Sequence, residues 1–311
     1  MDLSVIIVCY RGWKRLTRCL EALDSYSGKK FTMEVIMVDN NSGDDNYGRI
    51  EARFNRFHFM RNKINGGYSN GCNTGAAIAR GEFILILNPD TIAYEAEVEK
   101  LLNAARSNPS YYILSCRQIR ENGKESKATG SFPGHFRINN SIKETESVIF
   151  PDWVSGSVMM IRREIYEKLN GFDEDFWMYS EDVDLCRRAR NTGGEIAFYR
   201  DITIEHNHGG STRIDLKTIS TAKCEVQISR HVYIHKHMKG FSKLLVHLLI
   251  MTDNFIIGIT TGLAGLIFFF IPKLKVRLLL FSELVTYYSG VFMKRSWISP
   301  RSVKSKTSSP L

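Results

Sequence analysis

Apolar residues cluster in short runs along the first half of the chain, and the stretches between them carry a helical period. Leu3–Cys9 is almost wholly apolar and predicts a first, central strand. Residues 13–26 follow with Trp13, Leu16, Leu20 and Leu23 on one helical face, and residues 33–38 predict a second strand. A short strand over 57–61, a helix over 69–79, a buried strand over Phe83–Leu87, a helix over 94–106 and a strand over 111–116 continue the alternation. Units repeating every ~25 to 30 residues imply an α/β fold with a doubly wound, mainly parallel, Rossmann-like sheet and right-handed crossovers.

Polar residues gather at the carboxyl ends of these predicted strands, where open α/β sheets bind ligands. Asp39-Asn40-Asn41-Ser42 closes the second strand, and Asn65-Gly66-Gly67-Tyr68 opens the helix after the third. Asn88-Pro89-Asp90-Thr91 stops the fourth abruptly, because a residue before proline leaves helical geometry and proline cannot extend a ladder. Each motif has two readings. Asp39 either accepts hydrogen bonds from a base or ribose or belongs to a turn with Asn40 to Ser42. The paired glycines either admit an anion to the backbone amides or simply turn the chain. Asn70, Asn73 and Thr74 occupy the first turns of a helix, where amide side chains are costly unless something polar faces them. Asp90 either caps a helix beginning near Thr91 or holds a divalent cation against a phosphate.

From 118 to 150 the period is lost, and an irregular excursion or hairpin is expected. The pattern tightens at Asp152-Trp153-Val154-Ser155-Gly156-Ser157, followed by a strand over 158–161 and a helix over 163–169. Between Gly171 and Leu185, aromatic residues alternate with acids, including Phe176, Trp177, Tyr179, Glu181, Asp182 and Asp184. Such a mixture makes a poor core and a poor solvated face, but it suits a sugar site. Acids opening a helix that runs to Arg190 favour its dipole, yet two adjacent acids and a third exceed what capping requires. One of them near apolar rings would have a raised pKa and could take a proton from a hydroxyl. Closing strands over 195–199 and 201–205 lead to His206-Asn207-His208. With no further partners nearby for zinc, one imidazole completing a magnesium or manganese site is the expectation.

Charge and composition change the picture chiefly at the C-terminal end. Of the net +9, the whole excess lies after residue 229, where 12 Lys or Arg face two acids, leaving 30 basic and 31 acidic residues before it. That end is also the most apolar, so an anionic membrane surface is expected as partner rather than nucleic acid. Residues 255–271 form an uninterrupted apolar piece at the lower limit of a bilayer span, flanked on both sides by Lys and Arg. A single crossing would put one basic cluster on the wrong side, so monotopic or re-entrant attachment is preferred. Gly258 and Gly262 read as a chance pair, and 296–311 as a disordered basic tail. The six cysteines show no metal-ligand spacing and argue for a reducing compartment, in agreement with an N-terminus lacking a secretory leader.

The motifs at Asp39, Asn65, Asn88, Trp153, Gly171, Glu181 and His206 occur in the order seen in family 2 glycosyltransferases, and the chain resembles their rhamnosyltransferase-type branch over roughly residues 3 to 235. Composition marks an apolar, basic helical membrane-associating region over 236–295 and the tail beyond; the resemblance implies a GT-A catalytic domain over 1–235. It implies inverting transfer from a nucleotide-diphosphate sugar to a lipid-linked saccharide acceptor at the cytoplasmic face of a bacterial inner membrane. Asp39, Asn41, Asn65, Gly66, Gly67, Asn73, Asn88 and Asp90 would meet the nucleotide sugar. Asp90 and His206 would hold Mg2+ or Mn2+, with Asn88 standing where many relatives carry an acid. Asp182 would be the general base, with Glu181 orienting it or binding the acceptor, and Trp153, Gly156, Phe176 and Tyr179 facing the acceptor. Rhamnose from dTDP-rhamnose is the favoured donor, ahead of galactofuranose, galactose and N-acetylated hexoses. A nucleotidyltransferase and a non-catalytic nucleotide-sugar scaffold are the competing classes.

Overall fold

A computed structural model describes residues 1–133, 146–207, 215–268 and 270–307. Its contacts divide into two compact units, Met1–Asp173 with Glu181–Ser211, and Glu174–Ser180 with Thr212–Leu311.

In the first unit the chain runs β1 (Leu3–Cys9), α1 (Trp13–Asp24), β2 (Met33–Asp39), α2 (Asn46–Arg53), β3 (His58–Arg61), α3 (Gly67–Ala76) and β4 (Phe83–Leu87). Then come β5 (Thr91–Ile92), α4 (Glu95–Ser107), β6 (Tyr111–Ile119), β7 (Thr129–Gly130), β8 (Val148–Ile149) and β9 (Trp153–Val154). The unit closes with β10 (Val158–Arg162), α5 (Arg163–Lys168), α6 (Glu181–Asn191) and β11 (Glu195–His206). Successive residues of β1 point to opposite faces, as the period of a strand requires. Leu3, Val5 and Ile7 pack with Leu16 and Leu20 of α1 and Val98 of α4. Ile6 and Val8 join Cys72 of α3 and Leu185 of α6 in a second core. The apolar runs thus read correctly as strands covered on both sides.

The sheet order is β3-β2-β1-β4-β10-β6-β11-β5, with β8 added against β11. Pairings among β3, β2, β1 and β4 are parallel, as is that of β6 with β11. β10 is reversed, running antiparallel to both β4 and β6. Its first residue, Val158, pairs with Leu87, the last of β4. The start of β10 therefore lies beside the end of β4, and the Asn88 N–H donates to the Ser157 carbonyl at 2.9 Å. At the far edge Thr91 pairs with His206, which rules out the reading of Asp90 as a helix cap: the residues after it are strand, and α4 begins only at Glu95. The two closing strands expected over 195–199 and 201–205 are one strand with a register shift between Tyr199 and Thr203. Within the stretch expected to be irregular, β7 pairs with β9 and β8 with β11, while 134–145 lie outside the described residues.

The second unit contains α7 (Leu216–His237), α8 (Gly240–Ile267), α9 (Pro272–Lys294) and α10 (Val303–Thr307). α7 packs against α9, so this unit begins near residue 212 and not at 236 as the sequence led us to expect. α8 runs unbroken through the polar positions that seemed to divide it, because those groups have partners. His247 Nδ1 lies 2.8 Å from His231 Nδ1, and Asn254 donates to the Tyr288 hydroxyl at 2.8 Å. A Cβ at Gly258 would fall 2.0 Å from the Phe281 ring, and one at Gly262 would fall 3.4 Å from it. The glycine pair is therefore not incidental but lets α8 and α9 approach each other. Of the tail expected to be disordered, residues 296–307 are described and are ordered at least in part: Trp297 stacks on His247 with centroids 3.9 Å apart, and Ser299 and Arg301 bind the buried Glu225 carboxylate, while 308–311 lie outside the described residues. Phe241, Leu248, Leu249, Ile256, Ile259 and Phe292 remain at least half exposed, and α8 and α9 are each long and apolar enough to cross a membrane.

α3 lies close on the sheet because Gly75 has no side chain; a Cβ there would fall 2.7 Å from Ile6 Cγ2 and 3.3 Å from Val38 Cγ2. Gly75→Val is expected to destabilise the protein by about 1–3 kcal/mol through overpacking, seen as a lower urea midpoint with an unchanged slope.

Candidate active site

Three loops at the carboxyl edge of β1, β2 and β4 form one side of the site. Asp39 ends β2 with its side chain fully buried, accepting from the Ser42 N–H at 3.0 Å, and Arg61 Nε lies 3.2 Å from its other oxygen. Arg61 in turn sits over the Tyr47 ring, 4.1 Å from its centre. The turn reading of Asp39 is thus realised, and its second oxygen is covered by the Arg61 guanidinium. Asn40, which sequence reasoning left as a turn residue, is the organiser here. Its Nδ2 donates to Asn65 Oδ1 at 3.0 Å and the Gly67 carbonyl at 2.9 Å, and its Oδ1 accepts from Asn62 at 3.0 Å. The Asn65–Gly67 turn is thereby clamped to the end of β2. Gly67 takes φ 89°, a value that favours glycine, and Gly66 and Gly67 open α3 with their backbone facing this loop. Asn41 is exposed, with φ 62°, and donates to the Lys63 carbonyl.

Asp90 and His206 meet at the end of the sheet, with His206 Nε2 at 3.3 Å from Asp90 Oδ1 and Arg15 Nη1 at 3.4 Å from Oδ2. Burial alone would raise the Asp90 pKa; hydrogen bonding and charge from His206, and the charge of Arg15, outweigh it and hold the carboxyl below its usual range. Asn88 Nδ2 lies 3.4 Å from His206 Nε2, and the Asn88 carbonyl accepts from the Thr91 hydroxyl at 2.7 Å. His206 is buried, and its other nitrogen faces Gln118 Oε1 at 2.7 Å. Among the described residues no three His, Cys, Asp or Glu side chains converge as a complete metal cage. The pair still fits a hard divalent cation. Two ligands at ~2.1 Å in adjacent octahedral positions stand ~3.0 Å apart, close to the separation observed, and such ions are commonly completed by substrate phosphates.

Opposite this pair, Asp182 opens α6. Its Oδ2 accepts from the Gly156 N–H at 2.9 Å and its Oδ1 from the Val183 N–H at 2.8 Å. A Cβ at Gly156 would stand 3.4 Å from that of Asp182, so a larger residue there would crowd the carboxylate. Tyr68 donates to the Gly156 carbonyl at 2.9 Å, tying α3 to the same turn. Glu181 is buried, and its Oε2 has no hydrogen-bond partner among the described residues. Burial, then the Asp182 charge, pushes the Glu181 carboxyl well above the usual range. Burial also raises Asp182, against the opposing N–H groups of Gly156 and Val183. Asp184 has another task, pairing with Arg188 at 2.7 Å, whose guanidinium caps the Leu169 and Gly171 carbonyls.

The remaining expected positions are dispersed. Asn73 is committed within the fold: it accepts from the Phe172 N–H at 3.0 Å and the Tyr166 hydroxyl at 2.7 Å, and donates to the Phe172 carbonyl at 2.9 Å. It therefore braces the turn at Gly171 and does not face a ligand. Trp153 is half-buried, packed against Gly130, with its Nε1–H on the Ser131 carbonyl at 3.1 Å. Phe176 and Tyr179 belong to the second unit, where Phe176 is only 1 % exposed and so offers no ring face for stacking. Tyr179 and Ser180 both have left-handed backbone, φ 73° and 63°, immediately before Glu181. Arg15, Asn40, Arg61 and Gln118 were missed. Only Gln118 carried a signal, falling on the same face as the buried Leu114 and Cys116 of β6, where a polar residue needs a reason. His208 of the final motif lies outside the described residues.

The mostly parallel mixed sheet with its reversed strand between β4 and β6 is of the GT-A type. A mannosyltransferase from Pyrobaculum calidifontis, solved with GDP-Man and Mn2+, matches with a TM-score of 0.57 over 80% of this chain and 68% of that one, at 15% identity. The chain belongs to glycosyl transferase family 2, whose sequence profile matches residues 4–170, and a profile for the N-terminal domain of galactosyltransferase matches 146–208. The Low-salt glycan biosynthesis hexosyltransferase Agl10 of Haloferax volcanii is 27% identical over 66% of this chain and 67% of its own length. The N-acetylglucosaminyl-diphospho-decaprenol L-rhamnosyltransferase of Mycobacterium tuberculosis is 24% identical over 68% and 78%.

A carboxylate pair raised by burial has two consequences. Activity that requires Asp182 ionised rises with pH as the pair loses its first proton, and burial places that acid limb of kcat/KM above the ordinary Asp value of 3.8. A folded pKa above the unfolded value also means stability that is present at low pH and lost as pH rises through the folded pKa. Glu181→Gln is therefore expected to raise the melting temperature relative to wild type more at pH 8 than at pH 4, while lowering turnover. Melting curves at the two values check the sign.

Proposed function

We propose that this glycosyltransferase inverts configuration while moving a sugar, best rhamnose from dTDP-rhamnose, onto a hydroxyl of a lipid-linked saccharide. The observation that carries the reading is the meeting, along one sheet edge, of a carboxylate fit to act as base with a cation and phosphate edge. Ser157 accepts from the Asn88 N–H at 2.9 Å, while the neighbouring Gly156 holds Asp182 at 2.9 Å. Asp182 takes the proton as the acceptor oxygen attacks the anomeric carbon, and the bond to the diphosphate breaks with its electron pair leaving on the phosphate. Glu181, the more strongly raised of the two, holds the proton that the pair retains and leaves Asp182 as the ionised member. Asp39 receives the nucleobase, and the backbone of Asn65, Gly66 and Gly67 the remainder of the nucleotide sugar. Asp90 and His206 would hold Mg2+ or Mn2+, which when bound neutralises charge on the leaving diphosphate. The names of the mycobacterial relative and of the Escherichia coli rhamnosyltransferase WbbL support the choice of sugar, and a decaprenyl acceptor in the former name supports a lipid carrier.

The test is nucleoside diphosphate release from a panel of dTDP-rhamnose, UDP-galactofuranose, UDP-galactose and UDP-N-acetylhexoses, with bacterial lipid extract as acceptor source, with and without Mg2+ or Mn2+. Cation-dependent release from one donor identifies it; binding without release from any would favour the scaffold reading. Asp182→Asn is expected to reduce kcat by ~10²- to 10⁴-fold with donor affinity retained, and more than about a tenth of wild-type turnover would exclude Asp182 as the base.

The exposed apolar residues of α8 and α9 support attachment to a membrane surface, with the basic residues of the same unit meeting anionic headgroups. The protein is expected to sediment with vesicles containing phosphatidylglycerol. Ile256→Asp, placed on the exposed face, should cost about 2.5–3.5 kcal/mol of insertion and shift most of the protein to the supernatant.

A further inference from the structure

We infer that Gln118 is a positioning residue for this site, its amide oxygen fixing which imidazole nitrogen of His206 is turned toward Asp90. The inference rests on the reading of Asp90 and His206 given above. Gln118 lies on β6, buried, and its Oε1 meets His206 Nδ1 at 2.7 Å and Ser157 Oγ at 2.8 Å. An amide oxygen can only accept, so Nδ1 carries a proton and the Ser157 hydroxyl points at Gln118. The Ser155 hydroxyl, 2.9 Å from Ser157 Oγ, then donates to it.

With a proton on Nδ1, Nε2 is the nitrogen on the opposite side of the ring, 3.4 Å from Asn88 Nδ2 and 3.3 Å from Asp90 Oδ1. A charged ring donates from Nε2 to Asp90; a neutral one whose single proton is held on Nδ1 offers its lone pair there. Turning the Gln118 amide over would instead hold the neutral ring's proton on Nε2, closing that nitrogen to a cation. Gln118 with its oxygen toward the ring thus selects the neutral tautomer able to bind a cation jointly with Asp90. The Nε2 amide group of Gln118 is buried without a hydrogen-bond partner among the described residues. The oxygen is thus the end of the amide that is engaged. The same oxygen, through Ser157, reaches the turn whose Gly156 N–H holds Asp182, so one acceptor orders groups on both sides of the site.

The experiment titrates full-length protein with Mn2+ in saturating UDP, dTDP or GDP, reading free Mn2+ by electron paramagnetic resonance. Gln118→Leu, similar in size but without an acceptor, should weaken Mn2+ binding by about 10- to 100-fold while nucleotide affinity without metal and the melting temperature stay unchanged. Gln118→Glu keeps the acceptor and should bind Mn2+ at least as tightly as wild type. Gln118→Leu binding Mn2+ within about threefold of wild type would overturn the inference, since loss of such a partner costs more. Should Gln118→Leu not fold, Gln118→Glu decides: retained binding supports the role and weakened binding overturns it. Failure of wild type to bind Mn2+ with any nucleotide overturns the donor-side reading itself, an outcome distinct from a variant that matches a binding wild type.

Discussion

The reversal of β10 between β4 and β6 is the constraint on which the site depends. In an all-parallel sheet, the turn before a strand lies at the edge opposite the turn after its neighbour. Because β10 runs the other way, the turn that precedes it, 155–157, is delivered to the end of β4, and the Val158 to Leu87 register leaves no freedom in how far it reaches. The Asn88 to Ser157 hydrogen bond is the first rung beyond that ladder. The same logic applies at the edge, where β5 turns back against β11 and sets His206 beside Thr91. Two changes of strand direction thus assemble groups far apart in sequence, and the parallel half supplies a rigid base through two cores packed on alternate residues of β1.

Much of this was legible in residue order. Phe83–Leu87 is delimited by its own apolar run and by proline chemistry after it, and Asp39, Asp90, Asp182 and His206 stand out as polar residues where strands or helices begin or end. Strand direction was not legible: five apolar residues look alike whether the neighbour runs with or against them. For the same reason the roles of Arg15 and Asn40 were not legible, and Gln118 showed at most that a polar residue on a buried face needs a partner, since each acts on residues brought near only by the sheet order. Asn73 shows the converse. An amide on an early helical turn does imply a polar neighbour, but the neighbour was the backbone of Phe172, so the inference was right about need and wrong about partner.

The C-terminal unit was misread where polar residues punctuate apolar sequence. His247 and Asn254 looked like breaks in a span, yet each is matched by a group on another helix of the same unit, and such pairing removes the cost that a break would avoid. Compositional reasoning also took a basic, serine-containing end as disordered, overlooking that Arg301 has two buried or half-buried acids, Glu225 and Glu283, waiting for it.

Asp90 is the only carboxylate its loop contributes, and it already has partners of the protein's own, Arg15 on one oxygen and His206 on the other. On the proposed reading a divalent cation at Asp90 would not fill a negative hole but would compete with Arg15 for the carboxylate. A guanidinium released in that way would be free for an anion, and by linkage the affinity for cation and for anion would each depend on the presence of the other. Such a cation would behave less as a fixture of the enzyme than as part of its substrate.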